Sequence, residues 1–244
     1  MTLLLVTTII LFGAHLLGGI AAFGSTLLAL PLLLLIGWET RPAVALLVIV
    51  GLVQALQISF LTWREADRRA LVRILVVAGV GIPLGFLAAS HLPEHALGVF
   101  LGLLLIGAGA LRLRERWIRK EYLPPTWILN LLLLIGGVAH GAFGSGGATL
   151  TIYGQYAFKE KAVFRGTLSV MWSILNVFVL TGLVLENQVG RIVILSALPG
   201  VPAVVLATWL GHQVTRRLSQ EQFVNAVAIL LCIAGVLTIV RNLY

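Results

Sequence analysis

Ala22-Phe23-Gly24-Ser25 recurs as Ala142-Phe143-Gly144-Ser145, 120 residues further along the chain. Each copy sits inside a charge-free stretch, 1–38 and 122–158. One continuous helix of such a stretch would run roughly 57 Å, about twice the ~30 Å of a bilayer's hydrocarbon core. The chain must fold back, and glycine is the residue that permits a tight reversal. The returning arms, about 25–37 and 146–157, are long enough for only ~20 Å of helix. That is too short to span. The sequence therefore predicts two broken or re-entrant helical hairpins, at 3–37 and 125–157, with their tips inside the membrane.

Three shorter charge-free stretches follow each hairpin, of 22, 20 and 17 residues and then 20, 24 and 19. Each suits one crossing of a bilayer, which takes about 20 apolar residues. They predict spans at 42–63, 70–91 and 95–112, and again at 163–185, 191–211 and 220–241. The pattern reads as a duplication, with repeats at 1–111 and 125–244. Other matches keep the same order. Gly81-Ile82-Pro83 answers Gly200-Val201-Pro202, and Ile106-Gly107-Ala108-Gly109-Ala110-Leu111 answers Cys232-Ile233-Ala234-Gly235-Val236-Leu237. The linker, 112–124, is rich in Arg and Lys, and Pro124-Pro125 ends it. Five helical pieces per repeat is an odd number, so the two copies face opposite ways. The expected fold is an all-α membrane protein of two inverted repeats, each a broken or re-entrant helical hairpin plus three transmembrane helices.

Composition agrees with this class. Of 244 residues, 59% are apolar and 11% charged, against about 25% charged in a soluble domain. That is too little charge to cover a water-facing surface, which excludes an ordinary soluble enzyme or a disordered chain. The net charge of +8 does not indicate a nucleic-acid partner, because the basic residues map to loops. Fourteen of the 17 lie in the segments 64–73, 112–120, 159–165 and 216–217. The positive-inside rule puts those segments in the cytoplasm. The 112–124 linker is then cytoplasmic and both termini external, in a multi-pass protein of a bacterial-type inner membrane. Met1-Thr2-Leu3-Leu4-Leu5 carries no Lys or Arg and reads as a resident helix rather than a leader. Trp38, Trp63, Trp117, Trp127 and Trp209 fall near span ends, as interfacial anchors do. Cys232 is the single cysteine, so no internal disulfide or cysteine metal cluster is expected. The lipid bilayer is the expected partner, and the sequence leaves the oligomeric state open, a homodimer included.

No Asp, Glu, Lys or Arg falls in the middle of an expected span. A cation pathway would lack a fixed negative charge. An anion has another resource. A broken helix exposes backbone N–H groups, and the N-terminus of the half-helix that follows carries roughly +0.5 charge. Two such ends meeting at the midplane would hold a small oxyanion. The residues expected there are Phe23, Gly24, Ser25 and Thr26 from the first tip and Phe143, Gly144, Ser145, Gly146 and Gly147 from the second. His140 lies on the approach to the second tip. At an offset of 119, Gln54 answers Ser173 and Gln57 answers Asn176. Gln57 and Asn176 are the amides taken to face the anion. Glycines at these positions also serve tight helix packing, which is the reading given to Gly81-x-x-x-Gly85 and Gly137-x-x-x-Gly141. No buried carboxylate, histidine cluster or activated nucleophile is present, so no enzyme, catalytic residue, metal or cofactor is expected.

The duplicated glycine-rich hairpin, the length and the basic central loop resemble the sulfite exporter TauE/SafE family, also called the 4-toluene sulfonate uptake permease family. The second copy, Gly141-Ala142-Phe143-Gly144-Ser145-Gly146-Gly147, fits the family's glycine-rich segment well. The first departs from it, with Thr26-Leu27 where more glycine is common. Pro31 follows the first tip as in the family, whereas Thr151-Ile152-Tyr153 stands in the second arm. The resemblance implies transport of small sulfur-containing anions such as sulfite or organosulfonates. Export is the first expectation, and an uptake permease or a passive anion channel of the same architecture is the alternative.

Overall fold

The structure is a computed structural model, and it describes residues 2–21, 25–114, 124–214, 228–229, 232–233 and 235–240. Nine helices have full bounds: α1 (Thr2–Ala21), α2 (Ser25–Leu35), α3 (Thr40–Thr62), α4 (Arg68–His91), α5 (Glu94–Arg114), α6 (Thr126–Phe143), α7 (Gly147–Ala157), α8 (Lys161–Leu185) and α9 (Arg191–Val214). The described residues from 228 onward are helical as well, and no strand occurs among the described residues. Among the described residues, six helices are long and apolar enough to cross a membrane. By contrast α2 and α7 have 11 residues each, or about 16 Å of rise, so neither spans.

Local signals set the ends. Asp67 caps α4, its carboxylate accepting from Arg69 N–H at 2.9 Å and Ala70 N–H at 3.0 Å, as an N-cap does. Pro42 lies in the first turn of α3, where the missing N–H would have no partner anyway. At the far end of α6, Gly144 adopts a left-handed conformation, φ +61°, and returns its N–H to His140 O at 2.8 Å. This glycine cap stops α6 and turns the chain toward α7.

The helix pairings recur between the halves. With α1–α5 set against α6–α9 and the residues that follow, α4 packs on α6 as α9 packs on α1. In the same way α3–α9 answers α8–α4, α1–α2 answers α6–α7, and α3–α8 and α2–α7 are their own counterparts. The α4–α6 contact is built on glycine. A Cβ on Gly81 would sit 2.6 Å from Leu134 O, and Gly85, Gly137 and Gly141 likewise meet opposing backbone. Only residues without side chains allow helices this close. At the other crossing, a Cβ on Gly211 would meet Leu16 O at 2.8 Å.

Helices α3 and α8 run antiparallel. Arg41 and Glu186 pair at 3.1 Å at one end. Toward the other end Ser59 bonds Ser173 at 3.1 Å, Thr62 bonds Ser169 at 3.0 Å, and Thr167 Oγ1 accepts from Asp67 N–H at 2.9 Å. The outer faces are apolar. Val72, Val76, Val80, Leu84 and Leu87 form one exposed stripe along α4, while Ile74, Ala78 and Ile82 are buried. Such a stripe would be a liability in water and suits contact with lipid. Trp38 departs from its expected interfacial place. It is buried, and its indole N–H donates to Thr7 Oγ1 at 3.0 Å, so it fastens the end of the first hairpin to α1.

Candidate functional site

The first turns of α2 and α7 open onto one cavity, through Ser25 and Thr26 on one side and Ser145 and Gly147 on the other. Its volume is about 90 Å³. That is several times the ~10–15 Å³ one water needs and well below the ~300 Å³ of a small drug site. Helix α8 supplies a wall of Arg165, Leu168, Ser169, Trp172 and Asn176, and α3 supplies Gly51, Gln54, Ala55 and Ile58. Those α8 positions recur every three or four residues and so share one helix face. The cavity runs from the middle of both helices to the ends that meet the basic segments 64–73 and 159–165. No carboxylate lines it among the described residues.

The second tip leaves polar atoms open. Ser145 Oγ and His140 Nε2 are buried without a hydrogen-bond partner. His140 Nδ1 accepts a long 3.4 Å bond from Gly146 N–H. With Nδ1 in that role, the neutral ring carries its proton on Nε2. The imidazole lies 5.2 Å from the Trp172 ring, centroid to centroid. Buried donors without partners are costly, about 1–3 kcal/mol each, and at a ligand site the ligand supplies the missing acceptor. Gly144 is needed for space as well as for its left-handed turn, since a Cβ there would lie 2.7 Å from Val48 Cγ2.

The first tip is tied down. Ser25 Oγ donates to Gln54 Oε1 at 2.6 Å, and Gln54 Nε2 donates to His15 O at 3.1 Å and to Thr208 Oγ1 at 3.0 Å. One amide therefore joins α1, α2, α3 and α9. The hydroxyl proton of Ser25 is committed to Gln54. At this tip the groups left to face a ligand are the backbone N–H groups of the first turn of α2, which have no partner within the helix, and the Thr26 side chain.

The family model for the sulfite exporter TauE/SafE matches residues 7–238, almost the whole chain. The chain belongs to the sulfite exporter TauE/SafE family. No curated protein and no solved structure matches it. Membership makes this TauE/SafE protein a multi-pass membrane transporter, whose surroundings are the lipid bilayer and whose family implies a small anionic substrate.

Of the residues expected at the site, Ser25, Thr26, His140, Gly144, Ser145, Gly147 and Asn176 line this cavity. Phe23 and Gly24 lie outside the described residues. Three others do not line it. Gln57 reaches away, its amide donating to Val205 O of α9 at 3.3 Å. Three residues on a helix is about 300° of turn, and it is Gln54 whose phase faces the cavity. Phe143 is buried on the other side of the tip, 6.1 Å from the Phe100 ring. Gly146 packs against Gly136 O, leaving its N–H to His140.

Of the further lining residues, four bear most on the site's polarity and space. Gln54 was one of two amides on the right helix. Trp172 was the one tryptophan away from a span end. Gly51 keeps the wall low where Asn176 Nδ2 and Thr26 Oγ1 approach it, 3.8 and 4.0 Å from the position of a Cβ. Arg165 counts among the basic residues that mark the cytoplasmic side, although the expected span 163–185 includes it; it lies in the second turn of α8 and faces the cavity.

Proposed function

We propose that this TauE/SafE transporter exports small sulfur-containing oxyanions, sulfite or organosulfonates, by alternating access, with the anion held between the two hairpin tips. The observation that carries this reading is the cavity's polarity. The N-termini of α2 and α7 both open onto it, Ser145 Oγ and His140 Nε2 are buried there without a partner, and Asn176 lines its wall. Each helix end contributes roughly half a positive charge, and a small oxyanion offers acceptors on every side. A cation would find no carboxylate there.

The pairing of equivalent helices supports a two-fold repeat, and five pieces per copy make the copies inverted. Repeats of this kind place a site at the midplane and alternate by rocking around it. The basic segments set the cytoplasmic side of an inner membrane, with both termini external. On that orientation the cavity extends toward the cytoplasm, and the Arg41–Glu186 pair lies at the external end of α3 and α8.

Purified protein in a thermal-shift screen against sulfite, sulfate, thiosulfate and organosulfonates tests the substrate class. Stabilisation by one or more of these anions is expected. Stabilisation by cations alone overturns the reading. Counterflow in proteoliposomes separates a carrier from a channel, since trans-stimulation with saturation belongs to the carrier.

A further inference from the structure

Among the described residues lining the cavity, Arg165 alone carries a fixed charge. It is half-buried, and its guanidinium donates to His212 Nδ1 at 3.2 Å. No carboxylate lies within salt-bridge reach of it among the described residues. A partly buried cation without a counter-ion is unusual, because desolvation is normally offset by pairing. Arg41, the other half-buried arginine of the α3–α8 pair, has such a partner in Glu186. Arg165 shares the helix face of Ser169, Trp172 and Asn176, but seven residues before Trp172, about 10 Å along the axis. It therefore stands at the basic-side mouth and not at the hairpin tips.

We propose that Arg165 forms a second, outer anion subsite at the cavity mouth, which captures the anion and selects its charge before it passes to the tips. This rests on the anion reading of the cavity. A guanidinium presents five N–H donors in a planar fork that matches two oxygens of one oxyanion. One nitrogen is engaged by His212, which leaves most of the fork for the passing ion. The helix ends further in supply partial charges that act within a turn, whereas a full charge at the mouth acts over roughly a Debye length, ~10 Å. Capture and inner binding are thus separate tasks of separate groups.

Stopped-flow binding of sulfite and of methanesulfonate tests this, read by the fluorescence of Trp172 beside His140, with Trp172→Phe as the signal control. Arg165→Gln should slow association about 10-fold and flatten its dependence on ionic strength, with dissociation changed less than about 2-fold. Arg165→Lys should keep most of the association rate, because it keeps the charge. Ser145→Ala should do the reverse, speeding dissociation and leaving the salt dependence intact. A wild-type signal whose association rate and salt dependence survive in Arg165→Gln overturns the outer subsite. So does equal slowing in Arg165→Lys together with a lowered melting temperature in both variants, which marks a structural role. If the wild type gives no signal with either anion by fluorescence or by calorimetry, the anion reading itself fails, and the outer subsite with it.

Discussion

Ser25 and Ser145 come from the same four-residue motif and face the same cavity, yet their hydroxyls differ in what they can still do. Ser25 donates to Gln54 Oε1, whereas Ser145 Oγ has no partner. The difference lies in the helix that follows each hairpin. At the place where α3 carries Gln54, α8 carries Ser173, at an offset of 119. A glutamine reaches across to the tip. A serine does not, and Ser173 bonds its own helix at Ser169 O and its neighbour at Ser59. His140 adds to the contrast, since the residue 120 positions earlier is Ile20. Two tips that share one motif thus differ in their surroundings: Ser25 is anchored, and Ser145 keeps its hydroxyl without a partner.

The largest expected effect comes from removing the turn that shapes the open tip. Gly144→Leu forces a side chain into a left-handed residue, at about 1–2 kcal/mol, and into Val44 and Val48. Displacing binding groups by an ångström costs on the order of 100-fold. Anion flux in proteoliposomes should fall to background while the protein still inserts, as judged by its gel-filtration profile. Substantial flux would mean that the second tip does not hold the anion.

Next is the open hydroxyl itself. Ser145→Ala removes one hydrogen bond to a charged group, about 1.5–3 kcal/mol, so half-saturation should rise at least about 10-fold. Melting temperature without ligand should hold or rise, since a buried unpartnered oxygen is lost. Unchanged half-saturation would erase the asymmetry between the tips.

How much of this was legible in the residues alone follows from what each signal measures. Charge-free lengths mark where apolar helices can lie, because a bilayer excludes charge along the whole of a span. The glycine motif marks the second tip, where Gly144 makes the left-handed turn, whereas Gly24 lies outside the described residues. Helix phase was not legible. Both Gln54 and Gln57 stand in an apolar helix with no polar stripe to orient it, and only packing against α8 and α9 decides which one faces inward. Arg165 was missed for a related reason. The positive-inside count reads a terminal arginine only as a marker of the cytoplasmic side, although a cation in an early turn can face a polar cavity instead. Trp38 shows the same limit, since position near a span end does not distinguish a lipid-facing indole from one bonded to Thr7.

Ser25→Ala probes the anchored tip and should act on stability before affinity. It leaves Gln54 Oε1 buried without its donor, about 1–3 kcal/mol, while half-saturation moves less than about 3-fold. A lowered melting temperature with near-normal flux is the expected pair of results. The reverse pair, normal stability with strongly weakened binding, would mean that Ser25 turns from Gln54 to the anion when one is present.

Gln57→Leu should have the smallest effect, and its smallness is informative. Gln57 was the amide expected to mirror Asn176, but it lies on α9's side of α3 and donates to Val205 O. Its own Oε1 is buried without a partner. Leucine gives up one modest bond, about 1 kcal/mol, and also removes an unsatisfied acceptor, so the two changes offset. Half-saturation should stay within about 2-fold, and melting temperature should hardly move. Asn176→Leu, made on the cavity wall at the equivalent place in α8, should weaken binding several-fold, because on the proposed reading it removes a donor to the anion. A pair of mutants related by the repeat but unequal in effect is what a divided pair of tips requires. Equal losses at both positions would mean that the transporter visits a second state in which α3 turns Gln57 toward the anion, and that the asymmetry belongs to one conformation and not to the protein.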